Sequence, residues 1–201
     1  MRRSNSVRSL SPVVLALAFA AGCMSPTGDD QQAREVPVAP PLFAEAPTST
    51  VTPLEGGGFR FTSTAVLDAP EGAAWAKVHN IEKVVEIALP GIAGDFQWLD
   101  GGSPGKVPSR FTFLALGSSV HEEVFFVDHA DKVLKYRLVT PALGIQSYVA
   151  TISLDPIDND HTLITFSRDM VFDDPASVDA FAALFEQEIA ALQAYFADNA
   201  D

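Results

Sequence analysis

The longest periodic stretch of the chain runs from Pro175 to about Ala197. There Val178, Phe181, Ala182, Phe185, Ile189, Leu192 and Phe196 recur at three- and four-residue steps. Asp179, Glu186, Glu188, Gln193 and Asp198 fall in other directions, so the spacing predicts one long helix with an apolar face and a wet one. Asp174 is placed to cap it, and Pro175 to occupy the first helical position, where a missing N–H costs nothing.

The pattern before it has period two. Phe59, Phe61, Ala65 and Leu67 alternate with polar neighbours and predict a first strand over 59–67. Asp68-Ala69-Pro70-Glu71 reads as a capping box opening a short helix that bears Trp75 and Val78. A second short helix follows over about 81–88, with Ile81, Val84, Val85 and Ala88 on one side. Phe96 and Trp98 suggest a brief strand. Long strands are then expected over 109–116, 119–128, 132–140, 145–154 and 161–172, joined by turns too short for anything but antiparallel neighbours. The fold class is therefore α+β: a curved antiparallel sheet of about six to seven strands around a long C-terminal helix, with two short helices after the first strand. A sheet that grips one helix can leave a cavity between them.

Alternation also nominates site residues. Val120, Glu122, Val124 and Phe126 share a strand face, which puts a carboxylate among apolar side chains and asks for a cationic partner. Arg110 is the first candidate, across the intervening turn, and Arg168, in phase with Ile164, Phe166 and Met170, is the second. Tyr136 and Tyr148 are in phase with apolar neighbours and need hydroxyl partners if buried. Phe181 and Phe185, on the first half of the last helix, are expected to touch the cavity. The functional reading of this set is a polar anchor for a ligand or an acid/base; the ordinary alternative is a structural ion pair and satisfied core phenols.

The N-terminus has a different grammar. Arg2, Arg3 and Arg8 precede the apolar run Val13 to Gly22, too short to span a bilayer and right for a signal segment. The run ends Ala20-Ala21-Gly22-Cys23, which resembles the bacterial lipobox, with Ala20 where that motif usually has leucine. The resemblance implies a signal peptide over 1–22, lipidation of Cys23 and membrane attachment through it. Met24, in place of aspartate, implies outer-membrane sorting facing the periplasm. Residues 23–57, rich in Pro, Ser, Thr and Ala, read as a flexible tether, leaving a folded domain over 58–198.

The formal charge is −13, and −16 without the three N-terminal arginines, which argues against nucleic acid as a partner. Cys23 is the only cysteine, so no internal disulfide forms. His79, His121, His129 and His161 are scattered, and Asp155, Asp158 and Asp160 fit a hairpin turn better than a calcium loop, so neither metal nor cofactor is expected.

Ala69-Pro70-Glu71 followed by Trp75, then Pro104-Gly105, and the spacing of Arg110, Glu122, Tyr136 and Tyr148 resemble the SRPBCC superfamily in its polyketide cyclase/dehydrase branch over roughly 59–197. Phe166 stands where that family usually has tryptophan, and Met170 where it has an aromatic, both on the implied pocket wall. The resemblance implies a helix-grip fold that holds a small hydrophobic or amphipathic ligand. It supports either a binding protein or a cyclase/dehydrase-type enzyme. A structural envelope lipoprotein with a filled core is the third possibility.

Overall fold

The computed structural model describes residues 45–200, so the expected signal segment, Cys23 and most of the expected tether lie outside the described residues. The elements are β1 (Thr48–Pro53), β2 (Phe59–Leu67), α1 (Glu71–Val78), α2 (Ile81–Ala88), β3 (Ala93–Leu99), β4 (Ser109–Ala115), β5 (Ser118–Asp128), β6 (Val133–Leu138), β7 (Ile145–Pro156), β8 (Thr162–Phe172) and α3 (Val178–Asp198). The strands form one antiparallel sheet in the order β1-β2-β8-β7-β6-β5-β4-β3. Because β3 to β8 pair in chain order, only the step from β2 to β8 joins strands distant in sequence. The concave face of that sheet grips α3, with α1 and α2 alongside.

Alternation decides what each strand buries. In β2, Phe61, Ser63, Ala65 and Leu67 point inward, and in β8 Thr162, Ile164, Phe166, Arg168, Met170 and Phe172 do the same. The α3 helix answers with Phe185, Ile189, Leu192 and Phe196, each nearly sealed from solvent. At about 1.5–3 kcal/mol per fully buried side chain, that stripe is what keeps the helix on the sheet.

Four differences from the sequence reading have local causes. Residues 48–53, expected to be tether, form an eighth strand: Thr48, Thr50, Val51 and Thr52 are β-branched, and the Thr48 and Ser49 hydroxyls meet those of Thr64 and Ser63 at 2.7 and 2.8 Å. Asp68 makes no cap; Pro70 is the N-cap of α1, and its carbonyl accepts from Ala73 and Ala74 at 3.0 Å. Phe126 is 41% exposed, not in phase with Glu122, because a bulge between Val124 and Phe126 shifts the register. Glu188, assigned to the wet face of the last helix, is buried.

The remaining starts and turns match their residues. The Asp174 carboxylate accepts from Ala176 N–H at 2.9 Å and opens a short 3-10 turn, Pro175–Ser177, that leads into α3. Asn80 caps α2 through Glu82 N–H. Asp158 accepts from the backbone of Asp160 and His161, so its carboxylate closes the β7–β8 turn.

Candidate functional site

Two adjacent glutamates on β5 part company. Glu123 lies opposite Arg110 of β4 and Arg137 of β6 and points away from the core, where Arg110 Nε donates to it at 3.0 Å and Arg137 Nη2 at 2.6 Å. Those two guanidinium groups hold its carboxyl below the ordinary glutamate range. Glu122 lies opposite Phe111 and Leu138 and points inward. The expected partnership of Arg110 with Glu122 is therefore wrong: across the tight turn between β4 and β5, 110 shares a face with 123 and not with 122. Arg110 is half exposed and does not line the cavity.

Arg168 takes the inward place. Its guanidinium lies between the rings of Phe166 and Phe185, 4.2 and 4.0 Å from their centroids, and its Nη2 donates to Glu188 of α3. The ion pair is buried on both sides. Tyr148 of β7 donates its hydroxyl to Glu122 Oε1, and Tyr136 of β6 meets Tyr148 edge to face at 6.1 Å. Sequence reasoning missed Glu188, although the signal was present: it falls three residues after Phe185 and four before Leu192, on the buried stripe.

Above this polar floor lies a cavity of about 90 Å³. Glu122, Tyr136, Tyr148, Arg168 and Glu188 line it, with Phe166 of β8, Phe181 and Phe185 on the α3 side and Val84, Val85 and Ala88 from α2. Its mouth opens among Leu89, Ile92, Leu116, Ala142 and Leu143. Of the residues nominated from sequence, Glu122, Tyr136, Tyr148, Phe166, Arg168, Phe181 and Phe185 come together here, and Arg110 does not.

The electrostatics follow from counting charges. One guanidinium faces two carboxyls in a low-dielectric space, so ionising both leaves an uncompensated negative charge. Burial pushes Glu122 well above its ordinary value; Arg168 pulls the other way and Glu188 adds to the push. Burial raises Glu188 too, against the opposing pull of its Arg168 partner. Burial likewise raises Tyr136, so its phenol stays protonated. Glu122, whose direct partner is a phenol and not a cation, is the group that keeps the proton. Its neutral acid can donate from the oxygen Tyr148 leaves free. Arg168 Nη1 is buried and finds no hydrogen-bond partner among the described residues. The cavity thus gathers Arg168, Glu122, Glu188 and two phenols on one floor beneath apolar walls, and an unmet buried donor costs about 1–3 kcal/mol.

A curved antiparallel sheet closed on a long C-terminal helix, with a cavity between them, defines the helix-grip class. Residues 58–198 match the family described as polyketide cyclase/dehydrase and lipid transport, and the chain belongs to that family, within the SRPBCC superfamily. Several solved structures share the fold. A protein of Nitrosospira multiformis is 19% identical with a TM-score of 0.57, over 68% of this chain and 95% of its own. The Zhui aromatase/cyclase from Streptomyces sp. R1128 is 13% identical with a TM-score of 0.56, over 71% and 95%. Major latex-like protein 151 from Panax ginseng is 16% identical with a TM-score of 0.53, over 76% and 99%. No curated protein matches the chain.

Proposed function

We propose that the protein is an extracytoplasmic binding protein, lipid-anchored at Cys23, that holds a small hydrophobic or amphipathic molecule between sheet and α3. The observation that carries this reading is the apolar cavity between sheet and α3, with the buried Arg168–Glu188 pair and Glu122, whose carboxyl burial pushes up, on its floor. The donors on that floor call for an acceptor on the ligand. A neutral carbonyl, ester or hydroxyl oxygen satisfies them, whereas a carboxylate would restore the excess negative charge that Glu122 avoids by keeping its proton.

The 90 Å³ of the cavity is smaller than the roughly 150 Å³ of a benzene-sized engineered cavity, so a larger ligand needs lining side chains such as the partly exposed Phe181 and Leu184 to move. Native mass spectrometry of the purified protein, followed by extraction, tests the reading. A retained apolar molecule that is lost in the folded double variant Arg168→Met with Glu188→Leu supports it, and an empty protein that takes up no neutral lipid-like molecule sinks it. For the anchor, Cys23→Ser should abolish labelled-palmitate incorporation and membrane retention; equal label in both forms removes the lipid from the proposal.

A second reading, a cyclase/dehydrase-type enzyme, draws on the same neutral Glu122. With Tyr148 beside it, Glu122 is placed to protonate a substrate oxygen held by Arg168. Turnover that disappears in Glu122→Gln, with ligand binding retained, would favour it over simple binding.

A further inference from the structure

The two ends of the sheet are built from different residues. At the cavity mouth, three connections, 87–94, 114–120 and 138–146, contain no Asp, Glu, Lys, Arg or His. At the opposite end the turns carry Asp68 and Glu71, Asp100 and Lys106, Asp128, Asp131 and Lys132, and Asp155, Asp158 and Asp160.

Two of the mouth turns go against their own backbone. Ala115 pairs with Ser118, and Ala142 with Ile145, across two-residue turns whose central residues both have positive φ: Leu116 and Gly117 at 50° and 78°, Leu143 and Gly144 at 55° and 75°. Such turns favour Asn, Asp or Gly at the first position, because a bulky side chain is strained there. At the charged end the same conformation is filled by Asp100 and Gly101, at 51° and 68°. Leucine thus occupies the strained position at both mouth turns, and Leu116 is 59% exposed. With Leu89 and Ile92 these side chains rim the cavity.

We infer that the mouth end docks on the surface of a neutral phospholipid bilayer, with Leu116 and Leu143 entering the acyl boundary. Bilayer rather than protein is the fit because these three connections offer aliphatic side chains and no basic residue or salt bridge to fix an orientation, the nearest charge being the carboxylate of Asp173, whose N–H donates to Gly144. Neutral rather than anionic lipid follows from Glu55, Asp173 and Asp174, which border this end, and from the net charge of −13. Reach is sufficient on the anchored reading of Cys23. The described chain begins at Glu45 beside Gln193 of α3, near the charged end, and the 21 residues from 24 to 44 extend to about 70 Å against about 30 Å for the length of β2. Docking needs no bound ligand, so it stands or fails apart from the cavity reading.

The test uses the full chain in a Cys23→Ser background, with an environment-sensitive dye on Thr140→Cys at the mouth or on Ala130→Cys at the opposite end, added to vesicles of brominated phosphatidylcholine. Docking quenches the Thr140 probe and spares the Ala130 probe. The double change Leu116→Asn and Leu143→Asn abolishes that quenching, and because Leu143 also packs on the core, the exposed Leu116→Asn alone serves as the second variant, weakening it without lowering the melting temperature, since asparagine suits the left-handed backbone. Replacing part of the phosphatidylcholine with phosphatidylglycerol weakens it. Equal quenching at both ends, no quenching at the mouth, quenching that survives the double change, or quenching that strengthens with anionic lipid overturns the inference.

Discussion

Glu188 of α3 and Arg168 of β8 are joined by a buried ion pair across the interface that makes the fold, so the helix is fastened to the sheet at the floor of the cavity. The pair has a stability consequence. Removing one partner strands the other charge, so Glu188→Ala should destabilise by about 3–5 kcal/mol, whereas Arg168→Met with Glu188→Leu should be near neutral or stabilising. Urea unfolding of the three forms checks this; equal losses in the single and double variants would contradict it.

Glu122 sets a pH dependence whose sign is fixed by its raised value in the folded state. The folded form holds the proton where the unfolded form has lost it, so this contribution to stability is complete below the ordinary carboxyl value of 4.5 and declines as pH rises through the higher folded value. Glu122→Gln should therefore match the parent near pH 4 and unfold at higher temperature than the parent near pH 8. Melting curves across that range decide it; a parent that gains stability relative to the glutamine form with rising pH would show that Glu122 is ionised and paired.

The two halves of α3 should respond differently to truncation. Leu192 and Phe196 are sealed against the sheet, and replacing either with alanine should cost about 2–5 kcal/mol. Phe181 is partly exposed at the cavity, so Phe181→Ala enlarges an existing space and should cost less than either. Chemical denaturation of the three variants makes the comparison, and equal losses would point to a solid core.

The N-terminal boundary of the folded unit moves with β1. A chain beginning at Glu45 should melt like the full-length protein, while one beginning at Gly57 loses six strand residues, the Thr48 and Ser49 hydroxyl contacts and the cover over β2. A fall of about 5 °C or more is expected on that second truncation, the shift that roughly 2 kcal/mol produces in a domain of this size. Identical melting of all three would return residues 48–53 to the tether.

Sequence alone determined what repeats locally. The period of two over β2 and β4 to β8, the three- and four-residue steps of α3 and the hairpin turns fixed the element order, the antiparallel sheet and the helix-grip class, because side-chain direction in a strand or helix follows from position within it. Glu122, Tyr136, Tyr148 and Arg168 were legible as inward for the same reason. What the sequence left open depends on relations between elements. Whether Glu122 meets Arg110 or Arg168 turns on cross-strand register, which a single strand's alternation does not contain, and the bulge after Val124 breaks even that alternation. Glu188 reads as one more charged residue on a helix until Arg168 is brought opposite it. Residues 48–53 read as linker because an edge strand with one neighbour needs no alternating apolar face; it forms because β2 presents unpaired backbone groups. The protonation of Glu122 and the orphaned Arg168 Nη1 exist only once the sheet closes on α3 and water is excluded, since burial is a property of the assembled fold.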